Sequence, residues 1–134
     1  MQDYKKNNVF GATAFSSYGA FWLSLATLTL LEAIGVINWG AHGGIAIGVF
    51  LIGFTIFNTY MWIASFRTNG AVCGVFTTLE ITFILLVLAE FGIISSVPGG
   101  IMGIVTAAVA WYASAAGVIN STFKRTVLPI WPLG

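Results

Sequence analysis

Charge is what this sequence has least of. Of 134 residues, five are Lys or Arg and four are Asp or Glu, 7% in all. A soluble domain carries about 25% charged residues, so this chain could not cover a water-facing surface and reads as an integral membrane protein. The net charge of +1 leaves no basic footprint for nucleic acid. The single cysteine, Cys73, excludes an intramolecular disulfide and a cysteine-cluster metal site. The single histidine, His42, has no Cys or His partner at ligand spacing, so neither a metal nor a cofactor is expected. Enzyme readings fail on inventory: no H-E-x-x-H, no nucleophile–His–acid set within the apolar runs, and no Gly-rich phosphate loop after a strand. The opening M-Q-D-Y-K-K-N-N has no apolar run ending in a small-residue cleavage site, so no removable signal peptide is expected.

What the chain has instead is long uncharged runs, in a composition that is 58% hydrophobic with a mean hydropathy of +0.96. The first, Phe10 to Leu31, has 22 residues. At 1.5 Å per residue it is about 33 Å long, enough to cross a hydrocarbon core of roughly 30 Å. Three more apolar runs follow, the second of them carrying Glu80 and Glu90, and the expected architecture is an all-α helical bundle with four transmembrane helices. The expected spans are about 10–31, 43–66, 71–91 and 98–121, in a single transmembrane domain, 1–134. Pro98 suits a first helical turn, whereas Pro129 and Pro132 exclude helix from the tail. Four spans put both termini on one side. Lys5, Lys6, Arg67, Lys124 and Arg125 then all fall on that side, which the positive-inside rule makes cytoplasmic.

The runs are not plain anchors. Small residues let membrane helices approach closely. Gly103, Ala107, Ala110, Ser114 and Gly117 fall within about 80° on a helical wheel, Gly40, Gly44 and Gly48 recur every fourth residue, and Thr13, Ser17, Ser24 and Thr27 share a face. Each stripe reads either as a helix–helix contact or as a pore lining.

Glu80 is the most expensive residue to insert. An acid at mid-membrane costs roughly 2.5 to 3.5 kcal/mol on insertion scales, and no basic residue lies in any span. Two readings stand: a proton-carrying site, or a buried hydrogen bond to Ser, Thr or Asn of a neighbouring helix. Asn58 is also deep, as inter-helix glue or as a binding group. Glu90, near a helix end, reads as interfacial, and the Tyr18 hydroxyl needs a partner if buried.

Two motifs carry a resemblance. Residues 4–22, Y-K-K-N-N-V-F-G-A-T-A-F-S-S-Y-G-A-F-W, resemble the third-helix signature of the acetate uptake transporter family, which takes in bacterial succinate–acetate permeases and fungal acetate and ammonia-export proteins. Residues 111–120, W-Y-A-S-A-A-G-V-I-N, followed by K-R-T-V-L-P at 124–129, are similar to its last helix and its Gly-Arg-Thr-Val-Leu-Pro tail. Lys124 stands where the family usually has glycine. The resemblance implies a six-helix fold of which the four spans are helices three to six, and assembly as a homo-oligomer, a hexamer. It implies passage of acetate and similar small monocarboxylates, with succinate as a further substrate, through a multi-pass protein of the cell membrane, proton-coupled or channel-like. The family's narrowing is made by a Phe, a Tyr and a Leu. Tyr18 in S-S-Y-G matches the tyrosine and Leu79 in F-T-T-L the leucine. The phenylalanine belongs to a first helix that this sequence does not contain, so an N-terminally truncated member is expected. Glu80 is not part of the family pattern. With Asn58 and Asn120 it makes the candidate proton or polar pathway. The rival readings are a small proton-coupled multidrug-type exporter built on Glu80, and a non-transporting fragment or assembly partner.

Overall fold

A computed structural model describes residues 8–134. Tyr4, Lys5, Lys6 and Asn7 of the first motif lie outside the described residues. Four helices follow in order, α1 (Val9–Ala33), α2 (Gly43–Ser65), α3 (Gly70–Glu90) and α4 (Val97–Phe123), with a 3-10 turn at Gly40–His42 before α2. Their lengths of 25, 23, 21 and 27 residues correspond to about 32 to 40 Å, and all four are long and apolar enough to cross a membrane. The chain is thus all-helical across its spans, and each helix begins and ends within two residues of the range expected from sequence.

Local chemistry sets the helix ends. Asn8 and Asn69 are N-caps: Asn8 Oδ1 accepts from Gly11 N at 3.1 Å and Asn69 Oδ1 from Val72 N at 2.9 Å. Asparagine is among the best residues there, because its side chain satisfies an amide with no partner inside the helix. Pro98 sits in the first turn of α4, where a missing N–H goes unnoticed. α4 stops at Lys124, which adopts the left-handed conformation at φ 51°.

The chain forms two compact units, one running up to Ala46 and the other Ile47–Gly134. The first holds α1 and the turn. Thr27 and Thr29 return their hydroxyls to the carbonyls of Leu23 and Leu25, so these polar groups are satisfied within α1 itself. Gly40 has φ 55° and lies in the turn, not in α2. Its glycine serves the backbone, so the Gly40–Gly44–Gly48 spacing is not a single helical stripe.

In the second unit α2 and α3 run antiparallel. Near one end Gly48 meets Phe91, whose ring would lie 2.9 Å from a Cβ added there. Towards the other, Trp62 Nε1 donates to Thr77 Oγ1 at 2.8 Å. α4 packs on α3 through Gly99, against Leu86, and through Val109, against Gly74. Between them Thr82 and Thr106 share a hydrogen bond of 3.0 Å. The packed face of α4 therefore carries Gly99, Thr106 and Ala116, which are buried, while Ala107, Ser114 and Gly117 of the anticipated stripe are exposed in the chain. Lipid and protein interior are equally apolar, so nothing in the hydrophobic pattern marked which face would turn inward.

The tail does not simply trail off. It turns back across the start of α3, where Gly70 N donates to Trp131 O at 2.7 Å and Ala71 N to Ile130 O at 3.3 Å. With Asn69 serving Val72 N and Cys73 N, the four amides that open α3 all have acceptors.

Candidate functional site

The site begins with Glu80, in the middle of α3. It is 9% exposed, and its two hydrogen-bond partners are both on α2. Asn58 Nδ2 donates to Oε2 at 2.5 Å and the Thr59 hydroxyl lies 2.8 Å from Oε1. Asn58 is fully buried, at 0% exposure, and its amide nitrogen also donates to Phe76 O at 3.3 Å. Thr59 is exposed and lies 2.9 Å from Thr55 O.

Helical geometry puts these groups together. Thr55, Asn58 and Thr59 stand at i, i+3 and i+4, one face of α2. On α3, Phe76 and Glu80 are one turn apart, so the carbonyl of one and the carboxyl of the other both reach Asn58. Thr77, one turn below Glu80 on nearly the same face, takes the Trp62 indole. The α2–α3 contact is thus a polar seam of neutral donors ending on one carboxyl group. A single deep carboxyl with neutral partners can hold two helices in register.

Thr59 is the member that sequence reading passed over. The signal was present: Thr55, Asn58, Thr59 and Trp62 lie within about two turns on one side of α2, opposite the only acid of mid-span.

Leu79 is half-buried on α3, beside Glu80 in sequence. Tyr18 is half-buried on α1, in the first unit. Asn120, near the end of α4, is committed to the tail: Oδ1 accepts from Val127 N and Leu128 N, and Nδ2 donates to Leu128 O. Glu90 ends α3 and is half-buried.

Four apolar helices of spanning length and a polar seam buried between two of them define a multi-pass α-helical membrane protein. The chain belongs to the GPR1/FUN34/yaaH family, which it matches over residues 1–134. It is 34% identical over 130 residues to the succinate-acetate/proton symporter SatP of Escherichia coli strain K12, a match covering 96% of this chain and 68% of that one. Acetate permease A of Emericella nidulans is 29% identical over 147 residues, covering 97% of this chain and 49% of the relative. The solved structure of the bacterial acetate channel SatP is similar with a TM-score of 0.86 at 33% identity, over 96% of this chain and 71% of that chain.

Proposed function

We propose that this protein moves acetate and similar short monocarboxylates, with succinate as a further substrate, across the cell membrane. The observation that carries the reading is the likeness to the bacterial acetate channel, in which fold and a third of the sequence agree over nearly the whole chain. Transport is the reading adopted here, and not an enzymatic reaction. Both termini are placed in the cytoplasm, on the strength of Arg67, Lys124 and Arg125 following α2 and α4.

The mechanism is selection at an apolar narrowing to which Tyr18 and Leu79 each contribute, an assignment that rests on the family resemblance. An unpaired anion is costly in a low-dielectric path, so a small carboxylate or its neutral acid passes where nearby hydroxyls and amides replace lost water. Hydrated ions do not. Glu80 and Asn58 supply polar groups to this system. Asn120 serves it at a distance, by fixing the tail. Assembly as a homo-oligomer, six copies by resemblance, completes the reading.

The rival reading of a small cation exporter built on Glu80 requires that cations move. Relatives named for acetate favour the carboxylate. The deciding experiment is uptake of labelled acetate into proteoliposomes holding this chain, with empty vesicles as control and a lipophilic cation as competing substrate. Uptake above the control supports the proposal. Cation movement without acetate movement would sink it.

A further inference from the structure

We propose that Glu80, Thr59 and the Thr55 carbonyl form a proton-binding relay whose outer end is the exposed Thr59 hydroxyl. Its coupling to acetate rests on the transport reading above, whereas its existence as a proton site does not.

The argument is a count of hydrogens. The Asn58 amide nitrogen has two N–H groups, and it donates to Glu80 Oε2 at 2.5 Å and to Phe76 O at 3.3 Å. Both are used for donation, so Oε2 is held as an acceptor in either charge state. A proton bound by Glu80 therefore sits on Oε1. There it meets the Thr59 hydroxyl, which has one hydrogen and two oxygens within reach, Oε1 at 2.8 Å and Thr55 O at 2.9 Å.

Two arrangements satisfy every atom. With the proton present, Oε1–H donates to Thr59 Oγ1, which donates to Thr55 O. With the proton gone, the Thr59 hydroxyl turns its hydrogen to Oε1, and Thr55 O keeps the helical N–H of Thr59. Only a hydroxyl rotation separates the two, and no heavy atom moves. On a carboxyl gripped by fixed donors on both oxygens, a bound proton would find no acceptor among the groups that grip it. Here one grip is fixed and the other is a rotor.

The relay also has a direction. Glu80 is buried and Thr59 is exposed, so the proton is exchanged at Thr59: a protonated water there gives its proton to Oγ1 as the hydroxyl hydrogen passes to Oε1, and release runs the same two transfers in reverse. Among the described residues no other titratable group is hydrogen-bonded to Glu80. On α2 the titratable side chain is Tyr60, which is exposed and stacked edge-on with Phe57. On α3 they are Cys73, two turns below, and Glu90, at the far end. On α4 it is Tyr112, whose hydroxyl donates to Pro129 O. α1 carries Tyr18 within its span and Glu32 near its end. The charged groups Arg67, Lys124 and Arg125 lie beyond the helix ends.

The test is an infrared difference titration of the full chain in lipid vesicles, run beside uptake of labelled acetate at an acid and a neutral pH. The expected result is a carboxylic C=O band that appears on acidification and is absent in Glu80→Gln. The band shifts in Thr59→Val and returns to its place in Thr59→Ser. Uptake in Glu80→Gln then loses its dependence on pH. A band that survives Glu80→Gln, or that ignores Thr59→Val, overturns the relay. If Glu80→Gln does not fold, the valine and serine pair carries the same decision. A wild-type chain that shows the band but moves no acetate overturns the transport reading and leaves the relay standing. Acetate uptake with no Glu80 band does the reverse.

Discussion

Asn120 holds the main chain of Leu128 from both sides, its Nδ2 donating to Leu128 O at 2.8 Å and its Oδ1 accepting from Leu128 N at 2.9 Å. The amide thereby does what a neighbouring peptide strand would do. It also takes Val127 N at 2.8 Å. The tail so held passes Tyr112, which donates to Pro129 O at 2.7 Å and stacks on Trp131. It then reaches the opening of α3, where Leu133 N bonds to Thr68 O. The tail that Asn120 helps to hold thus caps Gly70 and Ala71 at the opening of α3.

Asn120→Ala releases this strap. Three hydrogen bonds are lost, each worth about 0.5 to 1.5 kcal/mol net, partly recovered by water at the membrane surface, so the loss is about 1 to 3 kcal/mol. Thermal unfolding of the purified protein should show it. The same change should speed amide exchange at Gly70 and Ala71, at the start of the preceding helix, and unchanged exchange there would disprove the link.

Lys124→Gly should stabilise. Lys124 closes α4 at φ 51°, where a side chain costs about 1 to 2 kcal/mol that glycine avoids. Part of that gain is returned because glycine is freer when unfolded, leaving about 0.5 to 1 kcal/mol. This accounts physically for the glycine that the family pattern has at this position. A midpoint of unfolding that falls on substitution would contradict it.

Two glycines of the α3–α4 contact should respond oppositely to alanine. A Cβ at Gly99 would lie 2.7 Å from Leu86 Cδ2 and 3.4 Å from its main-chain nitrogen. The leucine must give at its Cγ, 3.2 Å away, as well as at its tip, and overpacking of this kind costs about 1 to 3 kcal/mol. At Gly74 the nearest atom, Val109 Cγ1, is 3.5 Å away, an ordinary contact. Gly74→Ala should be neutral, or stabilising by up to about 1 kcal/mol through helix propensity. Unfolding of the two variants side by side checks the contrast.

Tyr18→Ala and Leu79→Ala should each raise the passage of carboxylates larger than acetate and weaken the preference for acetate, because both remove bulk from the proposed narrowing. Competition of lactate and propionate against labelled acetate measures this. Variants with wild-type selectivity would remove these residues from the narrowing.

Much of this protein is decided by its composition. With 9 charged residues in 134 it belongs in a bilayer, and uncharged runs of about 20 residues become helices because lipid offers the backbone no other hydrogen-bond partner. The family was legible in the motifs around Tyr18 and after Trp111, whereas the capping of α1 and α3 by Asn8 and Asn69 was not singled out from sequence. Glu80 stood out from sequence because an acid at that depth needs a partner. Which partner it takes was decided by tertiary structure alone. The antiparallel register of α2 and α3 sets Asn58 and Thr59 beside it, and register between membrane helices follows from close packing at sites such as Gly48. The inward face of α4 and the use of Asn120 as a tail clasp were hidden for a related reason. In water, polarity marks the outer face of a helix. In lipid both faces are apolar, so the sequence by itself determines that four helices cross, and only their packing determines which side chains meet.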